Sequence, residues 1–476
     1  MTRILHILHT NDLHSQFAHM PQIASCLKQH RARWEEQGEH VLTVDVGDHL
    51  DRMSIKTEAT WGRSNVEVLN RSGYQYVTIG NNEGITLPKE KLDVLYRDAR
   101  FTVVLNNLQE AGADGPLPWA VPFAIHEWPD LRVALLGATV PFAEFYRLLG
   151  WEAKDPLPIL AEQVRMLRPK VDAIVVLSHL GLRADRELAR KIPGIDVILG
   201  GHTHELLKNG EQVGSTLIAQ AGKFGEYVGH VRLTLGSKGV VAAEAECLRA
   251  ADYPYDPQIV QLIADERVKA EKRLSAPVAR LEQDWPVNWE RETALGSLLA
   301  ACIRKWTGAE IGLANSGLLL TSLHSGVLTR KDLLQCLPHP INPCAVTLTG
   351  EQLLGILTRA IQPEVVHREL RGFGFRGKIA GWLGVDGLKI RYALEPAPQI
   401  LQVLVGDVPL ENGREYRVGT VDMFVFNRMF PELLEGRDMQ FFLPEVLREI
   451  AAELLNDRVL LQSCLLPRWE LAHGGG

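Results

Sequence analysis

No two of the six cysteines, Cys26, Cys247, Cys302, Cys336, Cys344 and Cys464, stand in CxxC spacing. That excludes the usual zinc-ribbon and dithiol redox motifs. Six thiols in 476 residues, with no export signal, are expected to be reduced. The opening MTRILHILHTNDLH has neither the apolar core nor the small-residue cleavage site of a signal peptide, so the expected location is cytoplasmic. No run approaches the ~20 apolar residues that span a bilayer, and no membrane partner is expected. A basic excess is also missing. With a net charge of −7, the chain lacks the footprint needed to bind a nucleic-acid duplex or an anionic surface, although a local phosphate pocket remains allowed. There is no internal repeat and no low-complexity tract.

What is present is a chain with 46% hydrophobic and 23% charged residues, typical of a soluble globular protein and long enough for two to three domains. Its first half alternates short apolar runs (4–8, 41–46, 76–79, 101–105, 133–138, 173–177, 197–199 and 217–219) with helix-length stretches such as 22–37 and 64–72. Continuous apolar strands between helices predict an α/β layer structure with buried sheets. The alternating GHVRLTL at 229–235 reads as a half-exposed strand closing this unit. A Pro-punctuated ADYPYDPQ follows, then a charged helical pattern over 259–274. A new pattern starts near 280, with a helix at 293–307, a strand at 311–314 and further strands within 387–421. The expected division is therefore 1–245, a linker with a connecting helix at 246–280, and 281–470.

The ends of the first-half strands share a chemistry. TNDLH follows the first run, GDHLD the second and GNNEG the third; SHLG and GGHTH follow two later ones. Open α/β sheets bind ligands at the carboxyl ends of their strands. These turns supply Asp12 and His14, Asp48, Asn81, His179, and His202 and His204. A carboxylate such as Asp48 can bridge two cations, and Asn81 offers a neutral carbonyl oxygen. Mixed imidazole and oxygen ligands suit Mn, Fe, Zn, Co or Ni better than Mg or Ca. Two divalent cations ~3.5–4 Å apart can hold a hydroxide and clamp a phosphoryl group for in-line attack.

The ordered set NDLH, GDH, GNNE, SHLG and GGHTH resembles the calcineurin-like metallophosphoesterases, and within them the 5'-nucleotidase and UDP-sugar hydrolase family. The resemblance implies a four-layer αββα sandwich followed by an α+β substrate-binding domain, and a metal-dependent phosphoric ester hydrolase acting on a nucleotide or related phosphorylated metabolite. It implies that Asp12, His14, Asp48 and His204 hold one metal and that Asp48, Asn81, His179 and His202 hold the other. The carboxyl-terminal half resembles the same family in GAEIGLANSG (308–317), in the LTG segment within 326–357 and in YRVGTVDMFV (416–425). In that family the second domain supplies aromatic rings and arginines for the substrate and rotates on a hinge helix. The expected assembly is a monomer or homodimer.

Departures from the pattern carry information too. The family pattern pairs a histidine after the Asn with an aspartate three residues on; here those positions are Asn82 and Ile85. Asn82 can donate a hydrogen bond to a phosphoryl oxygen but cannot deliver a proton. His49 and Asp51 follow Asp48 closely enough to face the site; His49 is the candidate replacement proton donor, or else a hydrogen-bond partner of a metal ligand. Glu83 reads as a helix-cap or supporting residue, and His6 and His9 as packing residues. The arginine usual after the NSG motif is replaced by Leu318–Leu320, so Arg368, Arg371 and Arg376, with Asn315, become the candidate substrate-binding polar groups. Trp382 and one of Phe424, Phe426 and Phe430 are the candidate stacking rings. The missing dyad predicts a bias toward good leaving groups such as phosphoanhydrides and diesters. A non-catalytic nucleotide or metal sensor is the alternative.

Overall fold

The computed structural model describes residues 2–472 apart from 114, 238 and 373. The chain divides into two compact units, Met1–Ala270 and Glu271–Gly476. The division falls inside the helix Pro257–Leu274.

The apolar runs of the first unit pair into two six-stranded sheets. One has the order Gly239–Arg249, Tyr227–Gly236, Arg3–Thr10, His40–Asp45, Tyr76–Val77, Thr102–Val103. The other has the order Glu211–Val213, Thr216–Ala219, Val197–Gly200, Ala173–His179, Arg132–Thr139, Phe123–Glu127. Their inner faces meet in one core containing Leu5, Ile7, Val44, Val133, Val175, Val197 and Val231, all fully buried. The helices Pro156–Leu167 and Leu182–Lys191 cover the outer face of the second sheet through Leu160, Val164 and Leu188. Met20–Glu36 packs on the first sheet. The result is the four-layer αββα arrangement, in which both sheets are shielded and their strands need no polar face.

Register fixes what lies side by side at the strand ends. Arg3–Thr10 and His40–Asp45 run parallel with Thr10 opposite Asp45, so the turns carrying Asp12 and Asp48 emerge together. In the second sheet Gly200 lies opposite Ser178, which puts His179 beside the GGHTH turn.

One expectation needs correction. Tyr227–Gly236 does not close the first sheet; it is an inner strand, and Gly239–Arg249 pairs outside it as the edge.

The second unit contains a five-stranded sheet in the order Leu383–Asp386, Ile311–Asn315, Glu415–Val421, Pro343–Thr349, Arg437–Phe441. A four-stranded sheet follows the order Val408–Pro409, Gln399–Val405, Leu388–Ala393, Trp469–Leu471. The buried helix Ala294–Thr307 lies on the five-stranded sheet, capped by the Thr293 hydroxyl accepting the Gly296 N–H and ended by Gly308 at φ 65°. It sits so close that a Cβ on Gly312 would stand 2.1 Å from the Ala300 carbonyl oxygen. No helix among the described residues is long and apolar enough to cross a membrane.

Candidate metal centre

The glycines of the GD and GN turns are dictated by crowding. Gly47 has φ +89°, and a Cβ there would lie 2.4 Å from the Gly80 nitrogen. A Cβ on Gly80 would lie 2.1 Å from Asp48 Oδ1 and 2.6 Å from His179 Nε2. Only two bare backbones let these loops meet. The backbone of the ligand residues is itself in a sparsely populated region. Asp12, His14, Asp48, His202 and His204 adopt φ of 51°, 45°, 50°, 74° and 64°, half of the ten non-glycine residues at positive φ among those described. Such conformations persist only where the surroundings over-determine them, and they gather at functional sites.

All seven sequence-derived ligand candidates converge. On one side, His14 Nε2 lies 3.2 Å from His204 Nε2 and 3.8 Å from Asp48 Oδ2. His204 Nε2 is 3.4 Å from Asp12 Oδ1. On the other side, His179 Nε2 lies 3.4 Å from Asp48 Oδ2 and 3.9 Å from Asp12 Oδ1. Asn81 Oδ1 is 2.8 Å from His202 Nδ1, and the rings of His202 and His179 are 5.4 Å apart. Asp12, His14 and His204 form one group able to hold a metal ion; Asp12, Asp48 and His179 form another.

The residues fit a pair of cations. The Nδ1–H of His179 donates to the Val46 carbonyl at 2.7 Å, which leaves Nε2 as the free lone pair. That Nε2 is buried and makes no hydrogen bond, with the carboxylates of Asp48 and Asp12 at 3.4 and 3.9 Å, a costly arrangement that a cation shared by these three side chains would relieve. Burial alone would lower the pKa of His179, but the Asp48 carboxylate raises it to about 10. Burial and the charge of His179 push His202 down to about 4, so it is a neutral imidazole.

Several further groups support the ligands, and of these only Asp51 was a candidate from the sequence. Asn11 donates to Asp12 Oδ2 at 2.8 Å and to the Gly222 carbonyl, and the His202 N–H reaches both Asp12 oxygens at 3.1 Å. Asn11 precedes Asp12 directly, and that adjacency was the available signal. Asp51 Oδ2 is 3.7 Å from His14 Nδ1. Two phenyl rings flank the ligands: Phe224 lies 5.8 Å from His14, and Phe142, 39% exposed, lies 5.9 Å from His202.

His49 is corrected. It is buried, with Nδ1 3.4 Å from both Asp45 Oδ1 and Glu83 Oε1, so it braces the loop and is not an accessible proton donor. Burial lowers its pKa, and the neighbouring carboxylates more than reverse that shift. Asn82 is also buried. Its amide faces Asp48 and His14.

In the second unit, Asn315 is buried; its amide donates to the Ala380 carbonyl at 2.7 Å and its Oδ1 has no partner. Trp382 and Phe424 present no open ring face. Trp382 packs among Tyr392 and Trp469, with its indole N–H unpartnered, and Phe424 stands edge-on to Phe430. Their expected stacking role is corrected to packing. Phe426 is 39% exposed and stacks on Phe441. Arg368 and Arg371 are exposed, the latter paired with Glu369, and the backbone N–H of Arg376 donates to His339 Nδ1. Phe373 of the same RGFGFRG segment lies outside the described residues.

A double sandwich whose strand ends gather Asp, His and Asn ligands for two cations defines a metallophosphoesterase. Residues 5–206 match the calcineurin-like phosphoesterase family, and residues 275–428 match the 5'-nucleotidase carboxyl-terminal domain. The chain is 37% identical over 458 residues to the uncharacterized metallophosphoesterase YunD of Bacillus subtilis, covering 95% of this chain and 99% of that one. It is 25% identical over 455 residues to the bovine 5'-nucleotidase, covering 83% and 76%. The Thermus thermophilus 5'-nucleotidase precursor superposes with a TM-score of 0.59 at 22% identity, covering 99% and 100%. The chain belongs to the calcineurin-like phosphoesterases that carry a 5'-nucleotidase carboxyl-terminal domain; it is a phosphoric ester hydrolase of a family that uses a binuclear divalent metal centre.

Proposed function

We propose that the enzyme hydrolyses a nucleotide or related phosphorylated metabolite and favours phosphoanhydrides and diesters over alkyl monoesters. Asp12, His14, Asp48 and His204 would hold one cation, and Asp48, Asn81, His179 and His202 the other. When bound, the two cations would supply positive charge to activate water and neutralise the phosphoryl oxygens. The bias rests on one observation: position 82, where the resemblance implies a proton-handling histidine, is an amide, and position 85 is Ile85. An amide cannot protonate a departing alkoxide, whereas phosphate and aryl oxide leave without that help.

The second unit carries a further set of candidate substrate-binding groups of its own. Asn315 Oδ1, Ser316 Oγ and the Trp382 indole N–H are buried without partners. They lie around the carboxyl end of Ile311–Asn315, a strand that runs parallel to Glu415–Val421. Unpaired buried polar groups at such an end support ligand binding. Arg368, Arg371 and Arg376 would supply charge, and Phe426 an exposed ring. The names of the 5'-nucleotidase relatives support a nucleotide as the substrate class.

The test is kcat/KM in Mn²⁺ for AMP, a UDP-sugar, a dinucleoside polyphosphate and bis(p-nitrophenyl) phosphate. The expected result is higher kcat/KM for the anhydrides and the diester. AMP as the best substrate by a wide margin would remove the leaving-group argument.

A further inference from the structure

The side chain at position 82 is committed to another residue. Asn82 is 5% exposed. Its backbone N–H donates to Asp48 Oδ1 at 2.8 Å, and its side-chain Nδ2 donates to Asp48 Oδ2 at 2.9 Å. One residue therefore takes both oxygens of the carboxylate and fixes its plane, which no single donor could do. The same Nδ2 lies 3.0 Å from His14 Nδ1. The following residue holds the backbone of the Asp48 loop. Glu83, fully buried, accepts the N–H groups of Asp48 at 2.9 Å, Leu50 at 3.0 Å and Gly80 at 2.8 Å. Asp48 keeps its left-handed φ of 50° under this double hold.

We propose that Asn82 is a positioning residue of the metal centre. It sets the Asp48 carboxylate in the orientation that both cations require and ties that carboxylate to the His14 side of the cluster. The inference rests on the reading of Asp48 as the shared ligand. An amide suits this task because it is neutral at every working pH and has two N–H bonds to give. Nδ2 keeps one N–H on Asp48 Oδ2, so a substrate contact would compete only for its second N–H, the one that faces His14.

The experiment is calorimetric titration of the metal-free full chain and of Asn82→Ala with Mn²⁺. It is paired with the visible spectrum of each Co²⁺-loaded protein, thermal denaturation in EDTA, and KM for bis(p-nitrophenyl) phosphate at saturating Mn²⁺. A positioning role gives Mn²⁺ affinity weaker by about 10- to 100-fold in the variant, the range seen when partners of metal ligands are removed. It also gives an altered Co²⁺ spectrum, an unchanged metal-free Tm and an unchanged KM. Wild-type Mn²⁺ affinity and spectrum with a raised KM would make Asn82 a substrate contact and overturn the proposal. If the alanine variant does not fold, Asn82→Ser, which keeps the backbone N–H and loses the amide, is read in the same way. A wild-type chain that binds no Mn²⁺ would overturn the assignment of Asp48 itself. That outcome is distinct from a wild type and variant that bind alike.

Discussion

Asn82 and Ile85 stand where the family pattern places a histidine and an aspartate, and Ile85 is half-buried in the helix that Asn81 and Asn82 begin. At saturating Mn²⁺, restoring the pair with Asn82→His and Ile85→Asp is expected to raise AMP turnover relative to that of bis(p-nitrophenyl) phosphate. General acid assistance contributes about 10²- to 10⁴-fold where it is needed. Steady-state rates on the two substrates check this, and an unchanged ratio would show that proton delivery does not limit the scaffold. At this scale the convergence of Asp12, His14, Asp48, Asn81, His179, His202 and His204 was legible, because each directly follows an apolar run. His49 stays open between proton donor and supporting residue in the sequence because adjacency to Asp48 does not tell which way a ring turns; here it turns between two buried carboxylates. Trp382 and Phe424 were misread for a related reason. An aromatic near a binding motif has the same spelling whether it faces a ligand or the core.

At the scale of elements, two turns must touch for the ligands to meet. Gly80→Ala puts a methyl group 2.1 Å from Asp48 Oδ1 and 2.6 Å from His179 Nε2, so two ligand side chains would have to move. The expected outcome is at least about a tenfold loss of Mn²⁺ affinity with a smaller change in the metal-free Tm, measured by calorimetry and thermal denaturation. The layered sandwich could be read from the alternation of buried strands and helices. The edge strand Gly239–Arg249 could not. Its sequence, GVVAAEAECLR, is rich in Ala and Glu, which favour helices, and tertiary pairing with Tyr227–Gly236 overrides that preference. Tyr76–Val77 is shorter than its apolar run because the chain turns into the helix Asn81–Thr86 to deliver Asn81 and Glu83.

For the whole molecule, stability should carry a pH signature from the second unit. Asp422 is buried at the end of Glu415–Val421 and accepts the Asn342 N–H at 3.3 Å. Burial pushes its carboxyl up to about 7 from an ordinary value of 3.8, and backbone hydrogen bonds offset only part of that. The folded state therefore prefers the neutral acid. Its contribution is complete below the unfolded value and is lost as pH rises from about 4 through about 7. Asp422→Asn stays neutral throughout. Relative to wild type, the variant should gain stability over that window, up to about 4 kcal/mol, as measured by denaturant unfolding at pH 4.5 and pH 8. A difference that does not change with pH would mean the carboxyl is ionised in the fold.

The assignment of seven side chains to two cations underlies every functional statement about the site. The metal content of the Mn²⁺-loaded full chain, measured by elemental analysis beside that of Asp48→Ala, addresses it most directly. Two ions per wild-type chain are expected, with fewer than one retained by the variant and its hydrolysis of bis(p-nitrophenyl) phosphate abolished. An Asp48→Ala chain that keeps two ions and its activity would contradict the assignment.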